Sequence, residues 1–115
     1  MKVPFFDLRV KNKKNRSDLI HALNKIMDHG KFFLGPEVKN FEDKIKKELG
    51  MRYAVGVSSG SSALYLALKA LGVKKGDEVI TTPLTWVITV NAIAACGARP
   101  IFADVKDDFN INPES

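Results

Sequence analysis

A single cysteine, Cys96, is all the thiol that this chain of 115 residues carries. An internal disulfide is therefore impossible, and a paired-thiol zinc site is excluded with it. Cys96 lies between Ala95 and Gly97, where a small apolar residue packing at a helix end is expected. Histidine is almost as scarce. His21 and His29 fall in one helical stretch without acidic partners at a metal-binding spacing, so solvent-facing or capping roles suit them better than ligation. No apolar run approaches the roughly 20 residues of a membrane span, and the N-terminus shows no secretory signal pattern. Neither G-x-G-x-x-G nor G-x-x-x-x-G-K-[ST] occurs, so dinucleotide and P-loop readings lack their fingerprints. A serine triad lacks its nucleophile elbow. There is no internal repeat and no low-complexity tract. A reducing cytoplasm fits these absences.

What is present suits a globular protein of at most one ordinary domain, with 45% hydrophobic and 27% charged residues. Charge is uneven. Residues 1–53 hold 13 Lys+Arg against 7 Asp+Glu, and residues 54–115 hold 5 against 6. A basic half can attract nucleic acid, but no aromatic residues interleave with Lys11-Asn12-Lys13-Lys14 as a stacking platform requires. Glu42 to Lys46 and Asp43 to Lys47 stand at helical spacing, so a solvated helix face explains the charge better.

Along the chain, Lys2–Val10 reads as an extended arm anchored by Phe5, Phe6 and Leu8. Ser17 is the expected cap of a helix with Leu19, Ile20, Leu23, Ile26 and Met27 on one stripe, ended by Gly30. A loop follows, Lys31-Phe32-Phe33-Leu34-Gly35. Pro36 then opens a second helix, with Val38, Phe41, Ile45 and Leu49 as its buried face and Gly50 as its stop. From Tyr53 the pattern changes to strand–helix alternation. Strands are expected at 53–57, 78–82 and 100–105, with helices at 61–71 and about 85–95 between them. That order predicts an α/β fold with a parallel sheet covered on both faces. The expected division is an N-terminal arm with two helices over 1–52 and an incomplete α/β part over 53–115. Asn112-Pro113-Glu114 announces another helix, and three parallel strands leave apolar edges, so the chain reads as the front of a larger protein.

The most telling stretch is Ser58-Ser59-Gly60-Ser61-Ser62, set between an apolar run and a helix. Such a bend leaves backbone N–H groups unpaired at the positive end of a helix dipole, ready for a phosphate. A serine-capped helix with nothing bound is the alternative. Thr81-Thr82-Pro83-Leu84-Thr85-Trp86 leaves its strand at the same edge and brings the only tryptophan there. An indole at that edge can lie against a planar heteroaromatic ligand, or simply fill a helix–sheet corner. Together the two loops suggest a phosphorylated aromatic cofactor. Asp104 is open to a ligand-facing role or a turn role.

Several segments carry a resemblance. Phe5-Phe6-Asp7-Leu8, Phe33-Leu34-Gly35-Pro36-Glu37-Val38, and Val57-Ser58-Ser59-Gly60-Ser61-Ser62-Ala63-Leu64 run in order. Gly76-Asp77-Glu78-Val79-Ile80, Thr85-Trp86-Val87 and Gly97–Val105 follow them. In that order they resemble the opening of the DegT–StrS nucleotide-sugar aminotransferases. The resemblance implies part of the large domain of a fold-type I pyridoxal-phosphate enzyme, usually a homodimer with shared active sites. It implies that Gly60, Ser61 and Ser62 hold the phosphate of pyridoxal 5'-phosphate and that Trp86 stacks on its ring. It implies that Phe32, Phe33, Leu34 and Gly35 approach the nucleotide-linked sugar. The family more often has Thr where Ser61 stands.

Two parts that the resemblance implies are not in these residues: an aspartate for the pyridine nitrogen and the lysine that holds the cofactor covalently. Lys69, Lys74 and Lys75 fall on a helix face or turn and do not replace that lysine. The expected function is amino transfer, commonly from glutamate, to a nucleotide-linked keto-sugar for polysaccharide or glycan synthesis, with the 115 residues inactive alone. The alternatives are a sugar dehydratase of the same family and a non-catalytic interaction module. No metal, nucleic acid or membrane partner is expected.

Overall fold

Asn12, not Ser17, starts the first helix of the computed structural model, which describes residues 3–115. The Asn12 side chain accepts the Asn15 N–H at 3.1 Å, and helix α1 runs Lys13–His29. Both residues are good caps, but Lys13, Lys14 and Arg16 are competent helix formers and extend the helix backward from the apolar stripe. Gly30 closes α1 in the left-handed conformation, its N–H reaching the Ile26 carbonyl. Pro36 opens α2 (Pro36–Leu49), and Gly50 ends it in the same manner. The expected buried face of α2 is only partly covered: Val38 and Ile45 are half-buried, whereas Phe41 and Leu49 are exposed. The arm is extended over its described residues, Lys2 lying outside them. Phe5, Phe6 and Leu8 are exposed and anchor nothing there. Asp7 instead gathers Arg9 and Lys11.

The charges of α2 pair differently from their spacing. Asp43 takes Lys39 and Lys46, each at 2.9 Å, while Glu42 turns to the Gly56 N–H. These contacts belong to the first of two compact units, the chain dividing between Gly56 and Val57.

The expected strand at 53–57 is extended chain with no ladder. Alternating apolar residues make a segment suited to a sheet, but a strand exists only when a neighbour takes its hydrogen bonds. The second unit begins with α3 (Gly60–Ala70), followed by a Lys74–Asp77 turn closed in both directions. Strand β1 (Glu78–Thr81) pairs in parallel with β2 (Arg99–Phe102), in the register Ile80 to Ile101, and α4 (Val87–Ala95) makes the crossover. Helix α4 starts two residues later than expected, and β2 is shorter, Val105 making instead an isolated antiparallel bridge to Ile111.

The core of this unit lies between α4 and the sheet: Ala92, Ile93, Cys96, Ala98 and Ala103, with Thr81. Cys96 sits at the α4 C-cap, the helix-end packing place expected of it. Gly97 follows with φ 80, a conformation that disfavours a side chain, and a Cβ there would crowd Lys75 at 3.3 Å. The expected cover on both faces of the sheet is not found. Ile80 stays 66% exposed on the face away from the core, since no helix among the described residues packs there. Asp104 takes a turn role: its Oδ1 accepts the Val105 N–H at 2.8 Å. Asn112 likewise accepts the Glu114 N–H, as a helix cap would.

Candidate functional site

Ser59 is the residue on which the serine-rich bend is built. It caps α3, its hydroxyl accepting the Ser62 N–H at 3.1 Å and its carbonyl taking the Ala63 N–H at 3.0 Å. The Gly60 and Ser61 N–H groups, earlier in the same turn, have no hydrogen-bond partner among the described residues. The hydroxyls of Ser58 and Ser59 both reach the Ser62 hydroxyl, at 2.9 and 3.0 Å. Three hydroxyls carry three protons, and the two bonds among them use two. One O–H is therefore left to donate outward, beside two free amides and the positive end of α3. A Cβ built on Gly60 would meet nothing within 4 Å, so the bend is open on that side. A phosphate, an acceptor on every oxygen, fits this donor set.

Trp86 is the N-cap residue of α4, with no side-chain capping bond. Its indole is 76% exposed, outside the core. Helix α3 packs against α4, and Ser61 and Tyr65 share one cleft of about 170 Å³ with Ile88, Asn91, Ala92 and Ala95. Ser61 lies in the first turn of α3 and Ile88 in the first turn of α4. Thr85 and Thr89 bridge the start of α4 by a 3.0 Å hydroxyl contact. The contact between these threonines was not foreseen from the chain, nor was Tyr65 expected at the site. The i,i+4 threonines were the one readable signal.

The remaining expected site residues, Phe32–Gly35, belong to the first unit and form a tight loop there. Phe33 and Leu34 are about nine-tenths exposed. Gly35 is buried because the Lys31 carbonyl lies 2.5 Å from where a Cβ would be. Among the described residues no group of His, Cys, Asp or Glu could hold a metal, and no helix is long and apolar enough to cross a membrane.

Known proteins resemble this chain in fold and in sequence. NtdA from Bacillus subtilis, solved with bound cofactor PMP, matches with a TM-score of 0.92 at 35% identity, over 99% of this chain and 27% of that one. The E. coli GDP-4-keto-6-deoxy-D-mannose-3-dehydratase, solved with bound hydrated PLP, matches with a TM-score of 0.79 at 32% identity, over 92% and 28%. In sequence, the UDP-2-acetamido-2-deoxy-3-oxo-D-glucuronate aminotransferase of Pseudomonas aeruginosa is 33% identical over 113 residues, which is 97% of this chain and 32% of that protein. The fold is thus part of the α/β fold of the pyridoxal-phosphate-dependent aminotransferases, as expected. Within that class, the chain belongs to the DegT/DnrJ/EryC1/StrS aminotransferase family, whose model matches residues 13–115. It spans about a third of the length of the curated relatives it matches.

Proposed function

We propose that these residues supply the cofactor grip of an enzyme that transfers an amino group, from glutamate, to a nucleotide-linked keto-sugar in polysaccharide or glycan synthesis. The carrying observation is the open bend: two free amides and a spare hydroxyl proton at the start of α3, with an exposed indole at the start of the helix packed beside it. Pyridoxal 5'-phosphate, when bound, takes an amino group from a donor and passes it to an acceptor carbonyl. Gly60, Ser61 and Ser62 hold its phosphate, and the Trp86 indole covers its ring. Phe32, Phe33, Leu34 and Gly35 border the nucleotide-linked sugar. In this reading residues 1–52 form an arm and helix pair, and 53–115 the cofactor-binding part. The intact protein works as a cytoplasmic homodimer.

Among the described residues no lysine is set to hold the cofactor covalently or to move a proton at the reacting carbon. Lys69 lies in the last turn of α3, and Lys74 and Lys75 lie in the turn before β1. The 115-residue chain by itself is therefore inactive toward nucleotide-linked keto-sugars. Likeness to the E. coli dehydratase favours a second reading, dehydration of the sugar in place of amino transfer.

Pyridoxamine phosphate tests the grip cleanly, because it has no aldehyde to react with surface lysines. Trp86 is the only tryptophan, so quenching of intrinsic fluorescence reports at the shelf itself. Saturable quenching by pyridoxamine phosphate, and much weaker quenching by pyridoxamine, is the expected result. Ser62→Ala should weaken affinity several-fold, as should Trp86→Ala followed by calorimetry. Equal affinity for the two ligands, or none for either, overturns the reading.

A further inference from the structure

His29, the last residue of α1, touches two different elements. Its Nδ1 lies 3.0 Å from the Lys31 N–H, the first amide of the aromatic loop that can reach it. Its Nε2 lies 3.3 Å from Glu37 Oε1, in the first turn of α2. An amide only donates, so Nδ1 must accept, and the ring proton must then reside on Nε2 and point to the carboxylate. The imidazole is neutral in this arrangement and bridges the loop to α2. Between its two contacts Leu34 sits at φ 49, a left-handed conformation unfavourable for a bulky side chain.

Protonation changes the two contacts in opposite senses. A proton on Nδ1 sets donor against donor at the Lys31 amide, so that bond is lost. At Nε2 the same proton turns a neutral hydrogen bond into an ion pair with Glu37. The groups facing the ring are Glu37 from α2 and the Lys31 amide. Lys25 from α1 stands 3.9 Å from the same Glu37 oxygen and competes with the ring for it. Asp28 and Lys31 are the charged neighbours along the chain. Glu37 is kept ionised below the usual carboxylate range, chiefly by its own backbone N–H and further by His29, so it is available as the imidazolium partner.

We infer that His29 and Glu37 form a proton-operated clasp on the Phe32–Gly35 loop, closed when the imidazole is neutral and released from the Lys31 amide when it is charged. The strain at Leu34 gives the released loop a reason to move. Release leaves Phe33 and Leu34, already exposed, free to change their presentation. The effect on substrate rests on the loop role proposed above. The clasp itself does not, and its test needs neither cofactor nor substrate.

The measurement is amide hydrogen exchange of residues 31–34 in the intact protein across about pH 5 to 8, corrected for the intrinsic rate, with α1 and α2 amides as the folding control. Protection at Lys31 should fall about three- to tenfold toward the acid end. In His29→Gln it should be flat with pH. In Glu37→Ala protection at Lys31 should be lower at the alkaline end than in the wild type, because nothing then holds the ring proton on Nε2. A structural role alone would not make Lys31 protection depend on pH. Wild-type protection that ignores pH, or full alkaline protection in Glu37→Ala, overturns the clasp. Should His29→Gln lose the helix protection, the wild-type profile and Glu37→Ala still decide.

Discussion

Glu42 Oε1 accepts the Gly56 N–H at 2.8 Å, fastening the middle of α2 to the extended segment that follows it. Helical spacing had paired Glu42 with Lys46, but a backbone donor lies closer than any lysine. Glu42→Gln keeps an acceptor and should leave Gly56 exchange nearly unchanged. Glu42→Ala should lose about 0.5–1.5 kcal/mol of local protection there. Equal behaviour of the two variants would show that the bond contributes nothing.

Gly35 and Gly60 make opposite predictions from the same substitution. At Gly35 an added Cβ meets the Lys31 carbonyl at 2.5 Å, backbone that cannot swing away. Gly35→Ala should destabilise the first unit by about 1–3 kcal/mol, read as lost amide protection through the loop and the first turn of α2.

Gly60→Ala meets no atom within 4 Å and places a better helix former in the first turn of α3. Stability should rise, by at most about 1 kcal/mol. Pyridoxamine phosphate affinity should nevertheless fall, because the methyl group stands where a phosphate must approach the amides. Unchanged affinity would mean that the anion does not use this face of the bend.

Asp43 sets a dependence on pH. Hydrogen bonds from Lys39, then Lys46, hold its carboxyl below the usual carboxylate range. A depressed folded-state value means that the contribution is present above the unfolded value and is lost as pH falls through the folded one. Carboxyl chemical shifts should show Asp43 titrating late on acidification, and high salt should move it back toward the ordinary range, since all three groups are solvent-accessible. A salt-independent titration would assign the shift to something other than these lysines.

Local signals were legible in proportion to how local their causes are. Gly30 and Gly50 stop helices because a left-handed residue without a Cβ is a property of one position. Pro36 opens α2 for an equally local reason. The start of α1 is ambiguous in the sequence because Asn12 and Ser17 are both competent caps, and Ser17 is the nearer to the apolar stripe. The bend at Ser58–Ser62 was readable as a capped helix start. Its hydroxyl relay was not, because Ser58 and Ser62 meet only once the chain has turned.

The order of residues alone determined where helices stop, which loops carry hydroxyl and indole groups, and that β1 and β2 run parallel across a helical crossover. Folding in three dimensions decided that Tyr53–Val57 stays unladdered, that one sheet face lies open, and that His29 reaches both the loop and α2. Each of the latter depends on what another segment brings within about 3 Å, and hydrogen bonds are too short-ranged to be inferred from composition or spacing.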